Sequence, residues 1–364
     1  MEYRKLPHGN EQISVIGMGT SVLGESNQEE MVATIQMALD AGVNYFDLAS
    51  GHATTFEAFG KALKGQREKA YLQIHFGANY MTGEYGWTTN LQTIKQSVEW
   101  MLEKLGTDYI DFGFIHCLDE ASDLKAYQQA GVLDYVLELK QKGIIRHIGL
   151  SSHSPELVNK VLDLGILDML MFSINPAYDY KHGQYAIGET DERMALYQRC
   201  EKEGVAISVM KCFSGGQLLD AAKSPFGKAL TPVQCMQYAL DKPAVVTVLA
   251  GVKNREELKG ILAYDGASDQ AKDYSILASF KQVNHLGHCV YCKHCHPCPM
   301  GLDIALINKY YDLALLGDDM AKDHYLHLEK KAGDCITCGH CNQRCPFKVD
   351  QMARMQEIRD YFGC

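Results

Sequence analysis

Two cysteine runs near the C-terminus carry the plainest chemistry in the chain: Cys289-x2-Cys292-x2-Cys295-x2-Cys298-Pro299 and Cys335-x2-Cys338-x2-Cys341-x3-Cys345-Pro346. Thiolate is a soft ligand that suits either zinc or iron–sulfur clusters. A zinc ribbon separates two CxxC pairs by a longer loop, whereas each run here supplies four thiolates within about ten residues and ends in Cys-Pro, the spacing that holds a pair of [4Fe–4S] cubanes. In that pattern three close thiolates grip one cluster and the fourth, followed by proline, reaches across to the other. The expected ligands are therefore Cys289, Cys292, Cys295 and Cys345 for one cluster, and Cys335, Cys338, Cys341 and Cys298 for the second. Such centres either pass electrons or hold a small segment folded; electron transfer is the expectation here.

Upstream, short β-branched or aromatic runs alternate with amphipathic patterns, the signature of βα units around a parallel sheet. Strands are predicted at 16–19, 43–47, 71–75, 110–116, 147–151, 168–174, 205–211 and 245–250. Between them Met31, Ile35, Ala38 and Leu39 share one helical face, with Ser26 and Glu29 as a capping box, and Ile94, Val98, Met101, Leu102 and Leu105 repeat the spacing. Eight strands alternating with helices are the count of an α/β (β/α)8 TIM barrel, expected over 1–275. The stretch 267–286 bridges to the cysteine domain, where glycine and histidine rise and the βα rhythm stops, so 276–364 is expected to form a small α-helical iron–sulfur domain.

Barrel chemistry collects at the C-terminal ends of the strands. Those ends carry Asp47 and His52, then His75, His116, Ser151-Ser152-His153, Met210-Lys211 with Ser214-Gly215-Gly216, and Gly251. A single histidine there is ordinarily a loop or core residue. Three histidines and an aspartate on adjacent strand ends point to a site. Phe76, Tyr80, Tyr85, Trp87, Tyr178 and Tyr180 near the mouth suit a flat or sugar-like ligand, and equally loop packing.

Taken together, Gly42-Val43-Asn44-Tyr45-Phe46-Asp47, the run Asp108 to His116, the run Gly143 to Ser151, and Met210-Lys211 with Gly215-Gly216 resemble the aldo/keto reductase family, in its branch with a C-terminal two-cluster ferredoxin-type domain. The resemblance implies a nicotinamide cofactor, NADP(H) or NAD(H), across the barrel mouth and carbonyl reduction by an Asp, Tyr, Lys, His tetrad. Asp47 and His116 match that tetrad; His52 stands where the tyrosine is expected and His75 where the lysine is expected. A phenol with a reference pKa of about 10 needs a neighbouring cation to donate its proton, whereas an imidazole at about 6.5 does not, so the paired replacement is chemically coherent. The resemblance further implies cofactor contacts at Ser151, Ser152, Lys211 and Gly251, with Lys253 and Arg255 available to a phosphate. The family's amide-binding asparagine is replaced by Ser152, its strand-six glutamine by Met171, and its adenine-facing pair by Gly260-Ile261.

Hydrophobic residues make up 46% of the 364, enough for one large core and a small second domain. No run approaches the ~18 apolar residues of a membrane span, and Met1 to Pro7 lacks a signal-like apolar segment, so a cytoplasmic protein is expected. Of thirteen cysteines, Cys117, Cys200, Cys212, Cys235 and Cys364 are scattered, as in a reducing, anaerobic setting. A net charge of −10 argues against a nucleic-acid surface.

Three functions fit. The first is a reductase of carbonyl or conjugated small molecules, with His52 as general acid, Asp47 and His75 orienting it, and His116 on the substrate oxygen. Its electrons would come from NAD(P)H or the clusters, with a flavin or a ferredoxin or flavodoxin donor as compatible intermediaries. The second is a divalent-metal lyase, isomerase or hydrolase built on His52, His75 and His116. The third is a non-catalytic electron-transfer module.

Overall fold

The structure, a computed structural model, describes residues 1–180, 185–279, 289, 295–315, 319–345 and 348–364. Eight parallel strands form its centre: β1 (Ile16–Gly19), β2 (Tyr45–Asp47), β3 (Tyr71–Phe76), β4 (Ile110–Ile115), β5 (Ile145–Ser152), β6 (Met169–Ser173), β7 (Ala206–Met210) and β8 (Val245–Gly251). Consecutive strands pair in parallel, and β8 pairs with β1, so the sheet closes into the (β/α)8 barrel. Strands walled in on both faces need no polar alternation, and β4, β6 and β7 are buried throughout. Inside the barrel Tyr45 and Phe112 pack edge to face at 5.1 Å beside Phe114, Met169, Met171 and Leu249.

The helix Gln28–Asp40 buries Met31, Ile35 and Ala38 against this barrel. Its cap is Asn27, whose Oδ1 accepts from the Glu30 amide at 2.9 Å, one residue later than the Ser26 box expected from sequence. Ser26 instead donates its hydroxyl to the Lys253 carbonyl, tying the turn after β8 to the start of this helix. The helix Leu91–Leu105 buries Ile94, Val98, Met101 and Leu105 and stops at Gly106, whose φ of 65° favours glycine.

The N-terminal end of the barrel is closed by an antiparallel pair, Tyr3–Lys5 with Gln12–Ser14. Beneath it His147 Nε2 meets Glu11 Oε1 at 2.9 Å, and Asp168 accepts from Lys140 at 2.6 Å and from the Ile148 amide at 2.9 Å. The C-terminal segment contributes the helices Ile304–Leu315, Asp319–Leu326, His340–Arg344 and Gln351–Phe362. Tyr325 stacks on Phe362 at 4.0 Å, and Asn308 donates to Gln351 at 2.8 Å. Among the described residues no helix is long and apolar enough to cross a membrane.

Against the downward pull of burial, Asp168 and Glu11 raise His147 above the usual imidazole range, while His147 helps hold both carboxyls below theirs despite burial. The His147 contribution is complete below about pH 6.5 and fades as pH rises through its raised value; the carboxylate contributions are complete above about pH 4.5 and fade as pH falls. His147→Gln should therefore cost about 1–2 kcal/mol near pH 6 and clearly less at pH 8.5, read by anaerobic thermal unfolding at both values. An equal loss at both would show that the charge on His147 does not matter.

Candidate active site

Asp47 ends β2 almost wholly buried, its Oδ1 accepting from the Ala49 amide at 3.2 Å and from Gln73 Nε2 at 3.0 Å. Gln73 and His75 alternate on β3, so both side chains face the same interior. His75 Nε2 lies 2.7 Å from Asp47 Oδ1, and His75 Nδ1 lies 3.0 Å from Nδ1 of His116, the residue following β4. His116 Nε2 is 2.8 Å from the Tyr85 hydroxyl, and that hydroxyl is 3.0 Å from Nε2 of His324 on the helix Asp319–Leu326.

With a single N–H on His75, the carboxylate assigns every proton in the series. His75 donates from Nε2 to Asp47 and accepts at Nδ1; His116 donates from Nδ1 and accepts at Nε2; Tyr85 donates to His116 and accepts from His324. Burial, with His75 and His324 close by, keeps His116 well below the usual imidazole range and hence neutral. Enclosure, with Cys117 nearby, raises the Tyr85 hydroxyl well above the usual phenol range, so it remains a donor.

His52 lies outside this series. It is half-buried, its ring set against the Cα of Gly24, and its backbone bridges to Glu84. The structure thus brings together Asp47, His75 and His116 and adds Tyr85 and His324. Among the described residues the histidines do not form a metal-binding group, since His75 and His116 spend both ring nitrogens on hydrogen bonds.

A second polar cluster sits on the ends of β4 and β5. Asp119 Oδ1 accepts from the His153 amide at 2.6 Å and Ser152 Oγ at 3.3 Å, while Oδ2 meets His153 Nδ1 at 2.9 Å and Lys309 Nζ at 2.5 Å. Lys309 belongs to the helix Ile304–Leu315 and is buried. Against the upward push of burial, Lys309 and His153 hold Asp119 well below the carboxylate range, and burial takes His153 down to about 4. Tyr185 stacks on His153 at 4.2 Å, with Lys211 Nζ 4.2 Å above the same ring. A third tie runs from the Trp87 amide to Asp323 Oδ2 at 2.7 Å. The C-terminal helices are thereby docked on the barrel mouth.

The residues expected to hold a dinucleotide do not converge on an open site. Ser151 and Ser152 are buried, and Ser152 Oγ also donates to the Leu118 carbonyl at 2.5 Å. Lys253 pairs with Glu25 at 2.6 Å and Arg255 with Glu30 at 2.8 Å; Gly251 lies exposed at the strand end. An open cavity of about 760 Å³ beside them is rimmed by Glu25, Glu30 and Glu256 as well as by Arg255 and Lys259. In this arrangement both expected phosphate-binding cations, Lys253 and Arg255, are paired with carboxylates at the surface beside that cavity.

Cluster ligands fare differently. Cys298, Cys335, Cys338 and Cys341 line one pocket with Pro299, Leu302, Ile304, Met352 and Met355. Four thiols converging in an apolar shell fit a cubane cluster, and the Thr337 amide points at Cys335 Sγ at 3.4 Å as a cluster-tuning donor would. Of the other set, Cys289, Cys295 and Cys345 are described, and Cys292 lies outside the described residues.

Sequence reading placed Tyr85 only among mouth aromatics and missed His324, Lys309 and Asp119. The available signal was Asn308, Lys309 and Asp312 interrupting an otherwise apolar helix, all three of them buried.

The barrel agrees with the comparisons. The model described as the Aldo/keto reductase family matches residues 15–229, and the 4Fe-4S dicluster domain matches 285–349. The chain belongs to the aldo/keto reductase family and carries a C-terminal 4Fe-4S dicluster domain. It is 25% identical to the uncharacterized oxidoreductase YqkF of Bacillus subtilis over 71% of this chain and 89% of that protein. It is also 25% identical to the L-glyceraldehyde 3-phosphate reductase of Escherichia coli, over 45% and 49% respectively. Among solved structures, the holo form of an aldo-keto reductase from Bacillus halodurans superimposes with a TM-score of 0.61 at 22% identity, covering 78% of this chain and 97% of that one. An aldo-keto reductase from Klebsiella pneumoniae in complex with NADPH gives 0.56 at 17% identity, covering 78% and 98%.

Asp119→Asn would leave the Lys309 ammonium buried beside a neutral amide, a change that costs about 3–5 kcal/mol when a buried pair is broken. The expected result is faster proteolysis between barrel and C-terminal helices with iron content retained. Unchanged cleavage would show that this pair does not hold the two together.

Proposed function

We propose that the chain reduces a carbonyl or conjugated small molecule at the barrel mouth, taking electrons from its own cluster domain and protons along the series from His324 to Asp47. One observation carries the reading: the hydrogen-bonded series that starts on a carboxylate inside the barrel ends on a histidine of the cluster-bearing segment. When bound, the two clusters would supply one electron each, and the two protons that the reduction takes up with this pair enter in succession through His324 and Tyr85.

Tyr85 is the proton donor that the geometry favours over His52, because its hydroxyl already shares hydrogen bonds with two imidazoles. A substrate oxygen that takes the Tyr85 proton leaves a phenolate 3.0 Å from the His324 N–H, which refills it. A relay through His116 leaves that ring neutral and puts the alternative proton on His75, whose imidazolium Asp47 stabilises. The reductase name of the Escherichia coli relative supports a carbonyl substrate, and the polar ties between the barrel mouth and the helices that follow Cys298 support electrons from the clusters.

The test is anaerobic. Protein reduced by a low-potential viologen should reoxidise on adding an enone or aldehyde, and Tyr85→Phe should slow this by about 10²–10⁴-fold with iron content and cluster potentials unchanged. Equal turnover with NADPH as sole donor would overturn the electron route, and an unimpaired Tyr85→Phe the proton route. A chain that only relays electrons would show no substrate-dependent reoxidation at all.

A further inference from the structure

Three consecutive residues of the helix Ile304–Leu315 join one expected cluster site to the barrel mouth. The helix begins at the pocket of Cys298, Cys335, Cys338 and Cys341, where Leu302 and Ile304 supply one wall and Met352 and Met355 another. Asn308 is buried, donates from Nδ2 to Gln351 Oε1 at 2.8 Å and accepts at Oδ1 from Arg354 Nε at 3.1 Å, which locks the first wall to the second. Lys309 then gives its ammonium to Asp119 beyond the end of β4. Tyr310 lays its ring on His324, with centroids 5.6 Å apart and planes 22° from parallel, and His324 in turn meets the Tyr85 hydroxyl at 3.0 Å.

Successive helical residues turn by about 100°, so Ile304 and Tyr310 lie on different faces, and six residues of rise separate them by about 9 Å along the axis. The helix is therefore a packed partition between thiol ligands and the proton donor. Burial, with Cys117 and Asp119 nearby, raises the Tyr310 hydroxyl well above the usual phenol range, so the ring keeps its hydrogen. Against the downward pull of burial, Asp119 and Cys117 raise Lys309 above the usual ammonium range, which keeps a positive charge beside the partition.

We propose that electrons reach the barrel mouth from the Cys298, Cys335, Cys338 and Cys341 site through this helix, with Tyr310 as the side chain that bridges the pocket wall and His324. The inference rests on the reduction proposed above and adds to it the choice of site and of route. Electrons cross singly: each is lost by the reduced iron–sulfur centre and gained by the substrate beside Tyr85, and two crossings complete the reduction. The set of Cys289, Cys292, Cys295 and Cys345 replenishes the first site and does not face the mouth. Tyr310 forms and breaks no bond. It is a positioning residue, because electron tunnelling weakens steeply with distance and with any gap in packing.

Proximity can be read without turnover, by NMR of dithionite-reduced holoprotein carrying isotope-labelled histidine. The His324 ring signal should be lost to paramagnetic broadening in the unaltered protein and in Cys289→Ala, and recovered in Cys338→Ala, where comparison with added His324→Gln assigns it. Iron is counted on each variant to establish that one cluster remains. A sharp His324 signal in the unaltered reduced protein, or one that Cys338→Ala fails to recover, overturns the proposal. Tyr310→Leu should slow reoxidation by an enone several-fold, with cluster potentials unchanged and no added slowing in deuterated water, while Tyr310→Phe keeps the rate. Equal rates for the two variants overturn the role of Tyr310. Should the unaltered reduced protein not be reoxidised by an enone at all, the reduction itself falls, and the His324 signal alone decides which site faces the mouth.

Discussion

The negative charge of Asp47, enclosed in the barrel, sets the polarity of everything above it. An ionised carboxylate away from water must be met by donors, and here the donors are the Ala49 amide, Gln73 and His75. Once His75 has turned its only hydrogen toward the carboxylate, its other nitrogen can only accept, and the same restriction passes to His116 and Tyr85 in turn. A lysine at position 75 would break the series, because an ammonium donates in every direction and accepts in none. Histidines at 75 and 116 with a tyrosine beyond them therefore form a connected unit.

That unit is completed by residues from far along the chain. His324 meets Tyr85 across 239 positions and Lys309 meets Asp119 across 190. A buried ion pair gains little net stability after its desolvation, but it is intolerant of misplacement, so it fixes where the C-terminal helices sit more than how tightly they hold. The hydrogen bond from the Trp87 amide to Asp323 adds a second fixed point one residue from His324. Register at the mouth is thus specified by polar contacts, while the apolar interior of the C-terminal segment, such as the Tyr325–Phe362 stack, supplies cohesion.

What was legible in sequence was local or periodic. The strands announce themselves as short apolar runs, and their predicted ends fall within two residues of those observed. The cysteine runs are equally readable because ligand spacing along a few residues dictates which thiols can meet. Asp47, His75 and His116 were placed by strand-end position, and they do meet. His52 was placed by counting along a loop, and loops carry no period: its ring turns toward Gly24 instead. Tyr85 lies beyond the short hairpin strand Ala78–Asn79, and Lys309 and His324 lie on helices whose docking has no sequence signature. The Ser26 box failed for a comparable reason, since a partner 227 residues away claimed its hydroxyl.

The charged contacts between Glu25 and Lys253, and between Glu30 and Arg255, join segments flanking the first and last strands. Each is exposed and individually weak. Together with the Ser26 hydroxyl they form a clasp over the seam at which the sheet meets itself, where no peptide bond links one strand to its neighbour. The wall of the open cavity beside these residues is thus also the hoop that holds the ends of the cylinder together.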